Sequence, residues 1–213
     1  MQPGNIDKEG KSESPDQAKT NLSPQERLMA AGKTLFAQNG FESTSTSSIA
    51  SRARTSESQL VRHFGGKAGL LEEIFNAGWT QLNDRIGSKV IAAPTGREGL
   101  LIILKTLTTA FQRDEELARI YLFEGRRIRG NEHEVFLSEG FVSFRQLIIS
   151  LVHRAQADGS FVKSLPEEAL VSALIGCAEG MVRDRLIARR LDKPEQYSPG
   201  DMHKVVDAVL SAF

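Results

Sequence analysis

A single cysteine, Cys177, in 213 residues leaves this chain no internal disulfide and no cysteine-rich zinc centre. The first twenty residues lack the apolar run of an export signal. Nowhere does the chain reach the roughly 18 uninterrupted apolar residues of a membrane span. These absences lead to the expectation of a soluble, cytoplasmic protein with no membrane partner. No H-E-x-x-H pair and no phosphate-binding glycine loop is present, so enzyme chemistry has little to start from. Strand-like alternation is missing as well. The charges cancel, 27 basic against 27 acidic, which on average removes the attraction that draws a protein to nucleic acid.

The average conceals an uneven distribution. Between Ser23 and Lys67 stand six basic residues, Arg27, Lys33, Arg52, Arg54, Arg62 and Lys67, against acidic Glu26, Glu42 and Glu57. The rest of the chain is therefore net negative, and the basic end alone is suited to a polyanion. Residues 1–22 are polar, with too little apolar surface to offset the entropy of ordering, and read as a disordered tail. Their Lys8, Lys11 and Lys19 are outweighed by Asp7, Glu9, Glu13 and Asp16. What remains divides into a segment over 23–68 and a larger body over 69–213.

Ser23, Pro24 and Glu26 together signal a helix start, and Asn39-Gly40 its end. Leu28, Ala31, Leu35 and Phe36 give that helix one apolar face. From Thr44 to Leu71 two short segments follow, with Ile49, Ala50 and Ala53 on one and Leu60 and Phe64 on the other. They are joined by a turn at Arg54-Thr55. Ser56 and Gln59 form an S-x-x-Q capping box for the second segment. Two helices about so short a turn make a helix-turn-helix, whose second helix fits the DNA major groove.

These residues resemble the TetR (tetracycline-repressor) family of transcriptional regulators. The likeness covers roughly Pro24 to Leu71. It rests on Ala37-x-x-Gly40-Phe41, Thr44-Ser45, Ile49-Ala50-x-x-Ala53, Ser56, Leu60, His63-Phe64 and Lys67-x-x-Leu70-Leu71. Two positions depart from the pattern: Arg54 stands where glycine is common, and Val61 where a tyrosine often touches phosphate. The resemblance implies an all-α fold, a three-helix DNA-binding domain followed by a helical effector and dimerisation domain. It implies a homodimeric repressor that binds a palindromic double-stranded DNA operator and is released by a small-molecule effector, with no cofactor and no metal. Thr44, Ser45, His63 and Lys67 match family positions that contact phosphate. By their own chemistry Ser58, Gln59 and Arg62 suit base edges, Glu57 suits cytosine, and Arg54 adds a cation facing the backbone. Bland alternatives stand beside these: Arg62 and Lys67 as solvated charges, His63 as a packing residue, and Gln59 held back by the capping box.

The body reads as successive amphipathic helices: to about Ala92, then about Leu100 to Phe111, Leu117 to Arg129, Glu134 to Ala157, one of ~25 residues from Pro166, and a last one after Ser198-Pro199. The last two have wide apolar faces, so Leu170, Leu174, Cys177, Met181, Val205 and Val209 are expected at an intersubunit four-helix bundle, with an ordinary intrachain pair as the alternative. In the resembled family the body houses an effector pocket. Phe75, Trp79, Phe111, Tyr121, Phe123, Phe141 and Phe144 are candidates to line it, or else plain core. Glu124, Arg126 and Arg127 are candidates to orient a ligand, or else an exposed charged face. Two other functions compete: an all-helical enzyme built on Cys177 with His153 or His133, and a helical protein-interaction module with a degenerate helix-turn-helix.

Overall fold

The computed structural model describes residues 22–124, 128–129, 134–135, 138–161 and 165–212. Residues 1–21 of the expected tail, Arg126, Arg127, His133 and Phe213 lie outside the described residues.

Nine helices account for nearly all of the described chain: α1 Pro24–Asn39, α2 Thr46–Arg52, α3 Glu57–Phe64, α4 Lys67–Ile91, α5 Gly96–Arg113, α6 Glu115–Phe123, α7 Glu139–Asp158, α8 Glu167–Arg190 and α9 Pro199–Ser211. The fold is all-α, and its starts follow local chemistry. Ser23 and Glu26 close a complete capping box on α1, with Ser23 N–H donating to Glu26 at 2.7 Å and Glu26 N–H to Ser23 at 3.2 Å. Ser198 and Asp201 repeat the device on α9. Thr95, Asp114 and Ser138 cap α5, α6 and α7.

One expectation fails. The helix predicted over 117–129 ends at Phe123, and the next begins at Glu139 rather than Glu134. Between them Ile128–Arg129 (β1) and Glu134–Val135 (β2) pair antiparallel in a two-residue ladder. Apolar spacing continues through this stretch of sequence, but Gly125, two residues past the end of α6, and Gly130 beyond it are poor helix residues.

One apolar core runs from Leu28 and Phe36 in α1, through Ile49 and Leu60, to Val206 and Leu210 in α9. The longest helix, α4, spans it: Leu70 and Leu71 join α1–α3, and Ile74, Phe75, Trp79, Leu82 and Ile86 join the body. Where Gly96 and Gly99 of α5 meet α7, a Cβ would overlap Leu151 and, at Gly96, Ala155 as well, so these glycines permit the close crossing. No helix among the described residues is long and apolar enough to cross a membrane.

Candidate nucleic-acid interface and apolar pocket

The turn between α2 and α3 is built around Arg54. Ala53 closes α2, the Arg54 N–H donates to the Ser51 carbonyl at 3.1 Å, and the Thr55 N–H reaches back to Ala50 at 3.0 Å. That pair of bonds is a Schellman motif, which requires a left-handed residue where Arg54 stands. Arg54 adopts it, with φ 51°. A side chain in that conformation costs about 1 kcal/mol that glycine avoids. Arg54→Gly is accordingly expected to raise stability by about 0.5–1 kcal/mol in denaturant melts. It is also expected to weaken DNA binding and to flatten its salt slope by about one phosphate contact. A variant neither more stable nor weaker on DNA would remove both assignments.

Helix α3 follows with its reading face outward. Ser56 caps it by accepting from the Gln59 N–H at 3.4 Å, and left-handed Gly65 at φ 70° ends it. Only this half of the predicted capping box forms, so the Gln59 side chain is not drawn back onto the helix terminus. Leu60 is fully buried and anchors the helix, while Glu57, Ser58, Val61, Arg62 and His63 are exposed and Gln59 is half-exposed. Glu57 accepts from the Thr46 hydroxyl at 2.5 Å, tying α3 to the start of α2. Ser58 shares a hydrogen bond with Ser56 at 2.8 Å. Arg62 makes no hydrogen bond or ion pair among the described residues and is available to a ligand.

Two phosphate candidates have structural duties. Thr44 is buried, and its hydroxyl donates within the turn to Gly40 at 2.7 Å, with Leu35 O at 3.3 Å. Its side chain faces inward, which corrects its assignment to DNA. Ser45, next to it, is exposed and caps α2 through the Ser48 N–H at 3.1 Å. Lys67 is half-buried. Its Nζ donates to the Phe41 carbonyl at 2.9 Å and lies 4.3 Å from the centre of the Phe41 ring. This fastens the α1–α2 turn to the start of α4 and still leaves ammonium protons for a phosphate. Gly66, the residue before α4, supplies no side-chain cap, so the first amides of that helix also face outward.

Two further basic residues have duties inside the fold. Arg27 donates to Ala53 O at 3.0 Å and Leu22 O at 2.8 Å, and Lys33 pairs with Asp114 of α6. Both serve the frame rather than the DNA face. Arg52, counted in the basic patch but assigned no contact, is exposed in the last turn of α2, and Val61 is 55% exposed beside Arg62 and suits a thymine methyl. Val61 was visible in the sequence only as a lost tyrosine.

Behind this head lies a cavity of about 950 Å³, counting its open mouth, between α4, α5, α6, α7, α8 and α9. Phe75, Trp79, Phe111, Tyr121, Phe141 and Phe144 all line it. Phe123 does not: it is exposed on the far side of α6. Trp79 stacks on Tyr121 with centroids 4.7 Å apart, and the Tyr121 hydroxyl donates to Phe75 O of α4 at 3.2 Å. Thr108 adds a polar point, its Oγ1 2.8 Å from His203 Nε2.

Helix α6 joins the cavity to the reading head. Tyr121 and Leu122 line the cavity, and Glu124 at its end is buried and accepts from the Phe41 N–H at 3.4 Å. Phe41 is the residue that Lys67 grips. Glu124, a candidate to orient a ligand, is thus turned to the head instead. Lys33 with Asp114, and Thr34 with Glu116, add contacts between α1 and α6.

The residues expected at an interface on α8 are partly turned into the chain's own core. Leu170 is buried in the intrachain core, Leu174 lines the cavity, and Cys177 and Met181 are half-buried against the same core. Ala169, Ala173, Gly176 and Ile187 are exposed and Gly180 is half-buried, and a Cβ on Gly176 or Gly180 would meet nothing within 4 Å. On α9 Val205 is exposed and Val209 half-exposed. His153 pairs with Glu167, and among the described residues no hydrogen bond joins Cys177 to a histidine.

Residues 28–74 match the family described as bacterial regulatory proteins, tetR family. The HTH-type transcriptional repressor KstR2 of Rhodococcus jostii is 27% identical over 141 residues, 66% of this chain and 69% of that protein. The nucleoid occlusion factor SlmA of Vibrio vulnificus is 27% identical over 195 residues, 88% of this chain and 93% of its own. The transcriptional regulator FadR of Bacillus subtilis, solved in complex with stearoyl-CoA, superposes with a TM-score of 0.75 at 16% identity, over 88% of this chain and 97% of that one. That last likeness is one of fold.

Proposed function

We propose that this chain, whose residues 28–74 match the tetR family of bacterial regulatory proteins, acts as a homodimeric repressor whose two α3 helices read a palindromic operator. The observation that carries this is the outward row Glu57, Ser58, Val61 and Arg62 on a helix fixed by buried Leu60 and a fully bonded turn. Arg62 is assigned to guanine, Gln59 to adenine and Val61 to a thymine methyl. Ser45, Arg54, His63 and Lys67 are assigned to phosphate, where they set register without reading sequence. Pairing of α8 and α9 across a two-fold axis places the two reading helices in successive major grooves, about 34–36 Å or a multiple apart. The small outward residues of α8 allow close helix approach, with Ile187 and Val205 supplying apolar area.

The cavity is the proposed effector site. A ligand there would press on Phe75 and Trp79 of α4 and on Tyr121 of α6. Both helices hold the head, α4 by continuity and α6 through Glu124 and Phe41. Differential affinity of the ligand for two settings of these helices would then lower operator affinity. An interaction module with a degenerate reading head is the weaker alternative, since the complete Schellman turn favours a head that still reads.

Selection of sites from a random duplex pool by the purified protein tests the proposal. Enrichment of an inverted repeat is expected. Recovery of unrelated duplexes alone would refute sequence reading.

A further inference from the structure

The cavity has a chemistry as well as a size. Among the described residues that line it there is no lysine, arginine or histidine, and the one acid is Glu179. A carboxylate or phosphate buried against these described residues would lose its water, and they offer no cation to replace it. Tyr121 contributes no charge either, since burial pushes its phenol far above the usual value. Aromatic rings from α4 and α7 form one side, and Leu100, Leu104, Ile175 and Val206 supply aliphatic surface.

One hydroxyl in this lining is only half satisfied. Ser138 is buried and caps α7, its Oγ accepting from the Phe141 N–H at 3.3 Å. A capping oxygen is an acceptor, so its own proton needs a separate partner, and the described residues provide none. Thr108 differs, because its hydroxyl donates to Leu104 O at 2.9 Å. A buried donor without an acceptor is costly, and a ligand oxygen placed against it removes that cost.

We propose that the cavity takes a large hydrocarbon, uncharged where it is buried, whose carbonyl oxygen accepts a hydrogen bond from Ser138. This rests on the cavity being the effector site. A polycyclic ketone and a fatty acyl thioester share that chemistry, the thioester's charged head remaining outside the mouth. A free fatty acid does not.

Trp79 is the chain's single tryptophan and stands in the cavity wall, so its emission reports occupancy directly. The full-length protein is titrated with progesterone, stearoyl-CoA and stearate, with operator affinity measured in parallel. Saturable change with progesterone or stearoyl-CoA is expected, and whichever binds more tightly identifies the source. Stearate is expected to bind at least about tenfold more weakly. Ser138→Ala should weaken the carbonyl ligand by about 3- to 10-fold and leave stearate unchanged. Ser138→Thr keeps both cap and donor and should restore binding, which separates the hydrogen bond from loss of the α7 cap. Stearate as tight as the carbonyl ligands, no saturable change with either of them, or a folded Ser138→Ala with unaltered affinity would each overturn the proposal. Binding that follows the expected pattern but leaves operator affinity unchanged would retain the ligand chemistry and refute its regulatory role.

Discussion

Arg62→Ala lowers affinity for the selected operator by about 5- to 150-fold, the range expected for loss of one bidentate base contact. Its melting temperature stays at the wild-type value, because exposed Arg62 holds no partner among the described residues. The loss should be concentrated at one base pair of each half-site, and substituting that pair should cost the variant little more. Lys67→Ala makes a useful contrast. Lys67 grips both the carbonyl and the ring of Phe41, so its removal should lower stability as well as affinity, uniformly across sequences. An Arg62→Ala protein that binds like wild type would take base reading away from α3.

Gly69→Ala has the largest expected effect on the fold. Gly69 lies in the first turn of α4, where a Cβ would overlap the Phe64 carbonyl oxygen at the end of α3. That oxygen belongs to the backbone and cannot swing aside. The elbow between reading helix and connecting helix must therefore open, at about 1–3 kcal/mol by the usual cost of overpacking. Calorimetry should show a melting temperature several degrees lower. Operator affinity should fall too, because the angle at which α3 leaves α4 sets the spacing of the two reading heads. Gly87→Ala, later in α4, serves as control, since its Cβ would meet nothing within 4 Å. A Gly69→Ala protein that melts and binds normally would show that the elbow has slack.

The parts legible in the sequence are those decided by neighbours in the chain. Ser23, Ser45, Ser56 and Ser198 announce their helices because a cap needs only a side-chain oxygen and an amide two or three residues on. Arg54 stands out in the sequence only because it replaces a glycine of the resembled pattern, and its left-handed φ of 51° belongs to the folded turn. Pairing across the fold is a different matter. Nothing in the composition shows that Arg27 and Lys33 are spent inside the frame, or that Thr44 turns inward while Ser45 turns out. Helix phase explains two misplacements. Phe123 follows Tyr121 by two residues, about 200° around the helix, so it leaves the cavity that Tyr121 enters. On α8 the eye follows Leu170, Leu174, Cys177 and Met181, while the surface is made by the smaller residues one step earlier. The cavity gathers six aromatic residues from four helices, and helical spacing within any one of them does not reveal that convergence.

The most direct test compares binding to the selected inverted repeat, to one isolated half-site and to a scrambled duplex, at several salt concentrations and with the number of chains per duplex counted. A dimeric reader is expected to place two chains on the repeat and to bind the half-site and the scrambled duplex much more weakly. The logarithm of its affinity should fall against the logarithm of salt by about 0.9 for each phosphate contacted. Equal affinity for all three duplexes, or a single chain on the repeat bound as tightly as on the half-site, would contradict the paired α3 helices as the sequence-reading element.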